Sequence, residues 1–273
     1  MTVRRTVFCV SDHTGVTATA MAHSLIARFD GVEAQYVTRP FTDDAAKVEA
    51  LVAEIDEEAA SGARPIVFST ISDPGLWKVL RRADGLVLSL FEIFVDRLTD
   101  ELGLEPEVGV GRYHGMGDTT TYQLRLDAVD YALTTDDGLG IDHYREADVV
   151  MVGVSRVGKT PTCLYLSMQY GIRAANFPLT PESLEDRRLP DVLEPHADRL
   201  FALTISPTQL YHIRQKRRPD SEYATLEQCG REVEAAERLF RARRLPVIDT
   251  TARSIEEITA TVIEVASLAS RLD

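Results

Sequence analysis

The sequence predicts an α/β fold made of two domains, each built on a parallel sheet. Short β-rich runs alternate with helix-period stretches through the first ninety residues, and the same alternation returns near residue 147. This pattern is typical of parallel strands joined by crossover helices. A glycine-rich stretch, 108–117, interrupts it, and no internal sequence repeat is visible. We therefore expect an N-terminal domain over 1–95, a connecting region over 96–145 and a C-terminal domain over 146–273.

Three strand–helix pairs are predicted in the first domain, which we expect to be Rossmann-like. The strands are expected at 7–10, 34–37 and 65–69, and the helices at 17–29, 43–61 and 76–82. The second helix has apolar residues at spacings that form one face, namely Ala46, Val48, Leu51, Val52 and Ile55. Ser72 and Asp73 followed by Pro74 favour the start of the third helix, because proline is tolerated in a first turn.

The remaining elements follow from the same patterns. In the connecting region one helix is expected to end near residue 104 and another to cover 122–134. Strands are expected at 148–152, 174–177, 200–205 and 246–249. Helices are expected at 159–170, 207–218, 223–244 and 254–272. The strand at 148–152 has a continuous apolar run after Asp148, as expected for a strand that is buried on both faces.

Composition and charge restrict the partners of this chain. The net charge of −13 disfavours a nucleic-acid surface or an anionic membrane, because either requires a broad basic field. The apolar runs are too short to span a bilayer, and the start of the chain is interpreted as a mature N-terminus. Cys9, Cys163 and Cys229 are odd in number and widely spaced, so neither a disulfide framework nor a zinc site is predicted. A reducing cytoplasm is the expected compartment.

The most informative motif is G-x-x-x-x-G-K-[ST] in the second half of the chain. Its residues are Gly153, Val154, Ser155, Arg156, Val157, Gly158, Lys159 and Thr160. A buried strand is predicted before it and an amphipathic helix after it. In this context backbone N–H groups wrap a phosphate chain, the lysine bridges terminal phosphates and the hydroxyl binds Mg²⁺. We therefore predict a P-loop kinase-like C-terminal domain, with Thr160 as a magnesium ligand and Arg156 either contacting phosphate or solvated.

Phosphoryl transfer to a hydroxyl group also needs a proton acceptor near the terminal phosphate. The candidates are Asp127, Asp130, Asp136, Asp137 and His114. The aspartates lie on or just after the predicted helix that precedes the loop, and the histidine lies in the glycine-rich stretch. The competing interpretations are a polar turn for Asp136-Asp137-Gly138 and a solvated side chain for His114.

Three other polar segments each have a functional and a purely structural interpretation. The loop at 11–15, with the sequence Ser-Asp-His-Thr-Gly, follows the first strand and either binds an anion or caps the helix. The basic cluster at 214–218 either covers phosphates or meets an acidic partner, or it is a solvated helix end. Asp249 ends the last predicted strand and either holds a metal ion or belongs to a turn.

Several of these segments together resemble a known family. The motif continues into Pro161-Thr162, Tyr165-Leu166 and Gly171-Ile172-Arg173-Ala174-Ala175-Asn176. Ser11, Asp12, Thr14, Asp130-Tyr131 and Asp136-Asp137-Gly138 agree with the same pattern. Nearly the whole chain resembles the bacterial phosphoenolpyruvate synthase regulatory proteins, within the pyruvate, phosphate/water dikinase regulatory family. Arg112-Tyr113-His114-Gly115 places it nearer to the synthase branch than to the pyruvate, phosphate dikinase branch, while His13 stands where the family has a small residue.

The resemblance implies a bifunctional serine/threonine kinase and phosphorylase that acts on phosphoenolpyruvate synthase. It implies that ADP is the phosphoryl donor for a threonine of the synthase. It also implies that inorganic phosphate reverses the modification and releases pyrophosphate. Carried onto this chain, the resemblance implies that residues 153–160 bind the nucleotide. It implies Lys159 and Asp137 as the catalytic residues, with Asp130 and His114 as further candidates. Mg²⁺ and a homo-oligomer are also expected.

Two other classes of function remain compatible with the residues. A P-loop small-molecule kinase would account for the C-terminal pattern but leave the first ninety residues unexplained. A nucleotide-dependent switch would bind a nucleotide without transferring its phosphoryl group. Within the family, pyruvate, phosphate dikinase is the alternative protein substrate.

Overall fold

Eight β-strands form two sheets within residues 2–105, 119–185, 188–268 and 270, which the computed structural model describes. Each sheet has four strands, and every pairing is parallel. The described residues fall into two compact units, one ending at 105 and the other starting at 119. The predicted α/β class with two parallel-sheet domains is confirmed.

The first unit places four strands in the order β2-β1-β3-β4. The strands are β1 (Val3–Val10), β2 (Val32–Arg39), β3 (Ile66–Ser69) and β4 (Leu86–Ser89). The helices are α1 (Val16–Ile26), α2 (Ala45–Ala60), α3 (Pro74–Leu80) and α4 (Glu92–Leu102). Phe8 packs in one apolar cluster with α2 and α3, whereas Val7 and Cys9 pack in another with α1. Alternate residues of β1 thus face opposite sides of the sheet, and each side is covered by helices.

Strand β4 was not predicted from the sequence. Its residues lie in the apolar run 85–91, which is too short for its periodicity to distinguish a strand from a buried helix. Strand pairing identifies this run as a strand, because Leu86 to Ser89 align in parallel with Ile66 to Ser69 of β3.

The second unit repeats the strand order of the first, as β6-β5-β7-β8. Its strands are β5 (Val149–Val154), β6 (Ala174–Leu179), β7 (Leu200–Thr204) and β8 (Val247–Asp249). Its helices are α5 (Thr119–Thr134), α6 (Lys159–Tyr170), α7 (Pro181–Glu185), α8 (Pro207–Arg217), α9 (Leu226–Arg243) and α10 (Ile255–Val265). Strand β5 is buried at every position and pairs with both β6 and β7, so it is the centre of this core.

The second unit begins earlier than the predicted residue 146. Helix α5 packs against α6, and two short 3₁₀ turns, Asp136–Gly138 and Ile141–Glu146, continue from it. Tyr144 is fully buried, and its hydroxyl donates to the Asn176 carbonyl at 2.8 Å. The sequence does not reveal this packing, because the residues that α5 fully buries are small, Ala128 and Ala132, while Tyr122, Leu126 and Leu133 are exposed, so no apolar stripe marks the packed side.

Two further observations concern membranes and cysteines. Among the described helices, none combines the length and the apolar character that crossing a bilayer requires. Cys9, Cys163 and Cys229 are all buried and free. Burial raises the pKa of each of these thiols, which keeps them protonated and poorly reactive.

Gly153 provides a test of how closely the second sheet packs. A Cβ at this position would lie 2.7 Å from the Leu203 carbonyl oxygen and 2.9 Å from Val157 Cγ1. We expect Gly153→Ala to lower the free energy of unfolding by about 1–3 kcal/mol, because the backbone of β7 cannot give way cheaply. Gly230 lies inside α9 with open space around it, so Gly230→Ala should raise that free energy by about 0.5–1 kcal/mol. Urea denaturation measures the free energy of unfolding of both variants. Equal changes in Gly153→Ala and Gly230→Ala would contradict the close packing inferred at Gly153.

Candidate functional site

The loop at 153–160 connects the buried strand β5 to helix α6 at the carboxyl edge of the second sheet. Two of its residues have left-handed backbone conformations, Arg156 with φ of 74° and Gly158 with φ of 102°. Gly158 is the N-cap of α6 and no side chain caps that helix. Alternation of right- and left-handed residues turns successive N–H groups towards one concave surface, a geometry that binds anions.

A cavity of about 230 Å³ lies against this loop. It is lined by Asp137, Ser155, Arg156, Gly158, Lys159, Thr160 and Pro161. Two cationic side chains, one carboxylate and two hydroxyl groups therefore surround it, together with the N-terminus of α6. This arrangement can hold a phosphate group and can place a carboxylate beside it.

Lys159 is 4% exposed, and its ammonium group donates to the Val154 carbonyl at 3.1 Å. Burial lowers the pKa of Lys159 from 10.5 to about 8, while the nearby carboxylates of Asp137 and Asp136 act in the opposite direction. The side chain of Lys159 points towards its own loop because little water reaches its ammonium group and the Val154 carbonyl oxygen can accept a hydrogen bond there. A phosphate group in the cavity would stabilise the charged ammonium group far better than one carbonyl does.

Asp136 joins the loop to the neighbouring strand. Its Oδ1 atom accepts a hydrogen bond from the Thr160 hydroxyl at 2.7 Å and another from the Asn176 amide at 2.5 Å. Asn176 is fully buried on β6, and its Oδ1 atom accepts the backbone N–H of Asp137 at 3.1 Å. The side chain of Asn176 is thus hydrogen-bonded to both aspartates. Its bond to the Asp137 N–H supports the left-handed backbone conformation of Asp137, whose φ is 49°.

The residues present fit a magnesium ion. Thr160 and Asp136 supply a hydroxyl and a carboxylate oxygen within 2.7 Å of each other, and Mg²⁺ prefers such oxygen donors together with water and substrate phosphates. Within the described residues no cluster of three or more histidine, cysteine, aspartate or glutamate side chains could hold a metal by itself. A magnesium ion at this place would therefore depend on phosphate oxygens for part of its coordination.

The structure separates the predicted proton acceptors. Asp137 lines the cavity, whereas Asp130 and Asp127 are exposed on α5, the latter accepting from the Gln123 amide at 2.7 Å. His114, with the rest of Arg112-Tyr113-His114-Gly115, lies outside the described residues.

Two residues of this site were missed by sequence reasoning in the roles that the structure gives them. Asn176 belongs to the family pattern, and a polar residue inside an apolar strand is in addition a signal of a buried hydrogen-bonding role. Thr250 was not singled out, yet its hydroxyl lies 3.1 Å from the carbonyl oxygens of both Val157 and Thr204. It follows the last strand, at the edge where the loop also lies.

Two other candidates have structural partners. In the basic cluster 214–218 only Arg214 is buried, and it pairs with Glu232 at 2.7 Å, whereas the other cationic residues are exposed. Asp249 accepts hydrogen bonds from the backbone and the hydroxyl of Thr251, so it forms a turn.

The loop at 11–15 borders a cavity of about 280 Å³ at the carboxyl edge of the first sheet. Asp12 is buried there, and its Oδ2 atom accepts from the Ser72 N–H at 2.9 Å and from the Ser72 hydroxyl at 2.7 Å. Gly15 is left-handed and is the N-cap of α1. Both sheets therefore end their first strand in a loop whose left-handed glycine begins a helix.

The fold and the loop define an α/β protein with a polar cavity beside the loop at 153–160 of its second unit. Comparison with known sequences gives the family. Residues 7–263 match the model of the kinase/pyrophosphorylase family, and the chain belongs to this family, which indicates a kinase-like transferase.

Relatives match along almost their whole lengths. A protein of Marinobacter nauticus is 43% identical over 267 residues, covering 97% of this chain and 98% of the relative. A protein of Aromatoleum aromaticum is 46% identical over 266 residues, with 97% and 96% covered, and one of Deinococcus radiodurans is 45% identical over 269 residues, with 98% and 97% covered. All three are named provisionally as phosphoenolpyruvate synthase regulatory proteins. A solved LacI transcriptional regulator from Lactobacillus brevis aligns with 90% of this chain and 98% of its own at 10% identity, with a TM-score of 0.23, too low to support any argument.

The lowered pKa of Lys159 predicts how anion binding depends on pH. Below about pH 8 the lysine is charged before binding, so it adds no pH dependence there. Above about pH 8 the free lysine loses its proton and must regain it as a phosphate group binds, so affinity should fall about tenfold per pH unit until the raised pKa of the complex is reached. Calorimetric titration with inorganic pyrophosphate in buffers of different ionisation enthalpy measures the affinity and the proton uptake.

Lys159→Arg is the matched control for this titration, because a guanidinium group stays charged throughout. The ratio of the two affinities cancels the titration of pyrophosphate itself. A ratio that does not change between pH 7 and pH 10 would contradict the expected coupling between the lowered pKa of Lys159 and anion binding.

Proposed function

We propose that this chain is a bifunctional protein phosphotransferase whose substrate is phosphoenolpyruvate synthase. In one direction it transfers the β-phosphoryl group of ADP to a threonine hydroxyl of the synthase and leaves AMP. In the other it transfers that phosphoryl group from phosphothreonine to inorganic phosphate, which restores threonine and releases pyrophosphate. The observation that carries the proposal is the position of Asp137, on the same cavity as Lys159 and the N-terminus of α6.

The forward reaction needs a diphosphate to be held and a hydroxyl proton to be accepted. The N–H groups of the loop and Lys159 hold the phosphates of ADP. The P-loop therefore binds a nucleoside diphosphate in this reaction. Asp137 accepts the threonine proton as the oxygen–phosphorus bond forms and the bond to the AMP oxygen breaks. Transfer of this kind depends mainly on positioning and charge stabilisation, which a preorganised loop supplies.

The reverse reaction uses the same groups. Inorganic phosphate occupies the place of the departing AMP phosphate, and its oxygen attacks the phosphorus of phosphothreonine. Asp137, protonated in this direction, returns a proton to the threonyl oxygen as that bond breaks. One cavity therefore serves both directions, in agreement with a family described as kinase/pyrophosphorylase.

Mg²⁺ is the expected ion of this reaction, and Thr160 and Asp136 are the residues that would hold it. When bound, it neutralises charge on the phosphate oxygens. Asn176 orients Asp136 towards Thr160, and the hydroxyl of Thr160 is thereby fixed relative to the loop. The name of the relatives supports the synthase as partner, and the match along nearly their whole length supports a shared activity.

The proposal is tested by mass spectrometry of purified phosphoenolpyruvate synthase after incubation with this protein, ADP and Mg²⁺. We expect a phosphothreonine on the synthase and a matching amount of AMP, followed by loss of the modification and release of pyrophosphate when phosphate replaces ADP. Lys159→Ala should abolish both directions while leaving the thermal unfolding midpoint near that of the wild type. A phosphorylated small molecule in place of the modified synthase would overturn the choice of substrate.

Asp137→Asn tests the proton acceptor. We expect the transfer rate at saturating ADP to fall by about 10²–10⁴, because an amide cannot accept the proton, while ADP affinity stays within a few-fold of the wild type. Asp142→Asn is the control, since Asp142 is exposed in the turn Ile141–Glu146 and does not line the cavity. Rapid-quench measurement of labelled phosphoryl transfer separates rate from affinity, and an unchanged rate for Asp137→Asn would remove this residue from the mechanism.

A further inference from the structure

We propose that Arg214 and Tyr223 are positioning residues that fix the third residue of the loop, Ser155, and thereby aim the next backbone N–H group at the bound phosphate. Neither residue lines the cavity, and neither is needed for the proton transfer. The inference rests on the proposed function only in taking the loop as the phosphate site.

Ser155 is held through two of its atoms. The Arg214 guanidinium donates to its carbonyl oxygen at 3.2 Å. The hydroxyl of Tyr223 lies 2.8 Å from the Ser155 hydroxyl oxygen. Arg214 also stacks on the ring of Tyr223, with its central carbon 4.0 Å from the ring centroid, and donates to the Tyr223 carbonyl at 3.1 Å. The two side chains therefore act on Ser155 as one unit, which we call the Arg214–Tyr223 pair.

The hydrogen bond to the Ser155 carbonyl determines where the following N–H group points. In a trans peptide the carbonyl oxygen and the next N–H lie on opposite sides of the bond. With its carbonyl directed at Arg214, which lies outside the cavity lining, the peptide directs the Arg156 N–H away from Arg214. Both Ser155 and Arg156 line the cavity. In our proposal the Arg156 N–H group therefore donates to a phosphate oxygen bound there.

The pair also accounts for the unusual backbone of Arg156. A residue with a side chain is strained in the left-handed region, and such conformations persist only where neighbouring structure imposes them. Ser155 is fixed on one side of Arg156, and on the other the Thr250 hydroxyl lies 3.1 Å from the Val157 carbonyl oxygen. The strained residue is thus held between two anchored peptides.

The burial of Arg214 argues against a purely stabilising role. Arg214 is fully buried, and its ion pair with Glu232 is made of two hydrogen bonds at 2.7 and 3.1 Å. Among the described residues its Nε atom is one of the few buried polar atoms without a hydrogen-bond partner. A buried ion pair with an unpaired N–H group is weak evidence for stability, since apolar residues of similar size often serve as well. The hydrogen bond from Arg214 to the Ser155 carbonyl gives this buried arginine a role other than stability, namely to position the loop.

Two variants test the proposal without leaving a buried charge unpaired. Tyr223→Phe removes only the hydroxyl group. Arg214→Met with Glu232→Leu replaces the buried pair by apolar side chains. We expect both variants to unfold at temperatures within a few degrees of the wild-type midpoint. Tyr223→Phe should bind inorganic pyrophosphate about three- to tenfold more weakly than the wild type, and the double variant should lose at least as much affinity.

The matched control is Arg238→Met with Glu234→Leu, the same exchange at an ion pair of α9 whose two partners are exposed. It should leave the affinity for pyrophosphate unchanged. Unchanged affinity in Tyr223→Phe and in the Arg214–Glu232 double variant would overturn the inference. A wild-type protein that binds no pyrophosphate would instead overturn the proposed function, so the two failures are distinguishable.

A third measurement separates positioning from a general loss of packing. Glycine adopts the left-handed conformation without strain, so Arg156→Gly should reduce the dependence of the loop on the pair. We expect Tyr223→Phe to lower pyrophosphate affinity less in the Arg156→Gly background than in the wild type. An equal loss in the two backgrounds would show that Tyr223 does not act through the loop conformation.

Discussion

The candidate site depends on the pairing of β5 with strands on both sides. Because β6 and β7 are parallel to β5, their carboxyl ends meet at one edge, where the loop at 153–160 leaves the sheet. Register then decides which side chains reach the loop. Met151 aligns with Asn176, which brings the asparagine within reach of the two aspartates after α5. A shift of one residue would turn Asn176 to the other face of the sheet and remove both contacts.

The loop is held from several directions by side chains that do not belong to it. Thr250 lies against the Val157 carbonyl, Arg214 donates to the Ser155 carbonyl, and Asp136 accepts from the Thr160 hydroxyl. Each contact fixes a peptide or a side chain of the loop that we propose to bind phosphate through its backbone N–H groups. Preorganisation of this kind matters for phosphoryl transfer, because the protein contributes position and charge rather than covalent chemistry. The helices α8 and α9 therefore contribute to the site although they lie outside its cavity.

The two units share one strand order and the same strand–loop–helix arrangement, with Gly15 and Gly158 as left-handed N-caps. Their loops differ in chemistry. The loop of the second unit carries a buried lysine whose charge has one carbonyl as its partner, whereas the loop of the first carries Asp12, a buried carboxylate that Ser72 satisfies. The loops that follow the two equivalent strands thus carry buried groups of opposite charge, three residues before the N-cap glycine in the first unit and one residue after it in the second.

The sequence by itself determined the α/β class, most strands and helices, and the 153–160 motif, because periodicity, caps and spacing are local properties. It could not determine β4, since a four-residue apolar strand is recognised only by its partner. The residue pattern alone did not rank the aspartates, and only the family resemblance placed Asp137 ahead of Asp130. Asp137 reaches the cavity and Asp136 reaches Thr160 because Asn176, some forty residues later, holds their turn. Arg214 was predicted from its charged neighbours to be part of a surface cluster, and only the packing of α8 against α9 buries it beside Ser155.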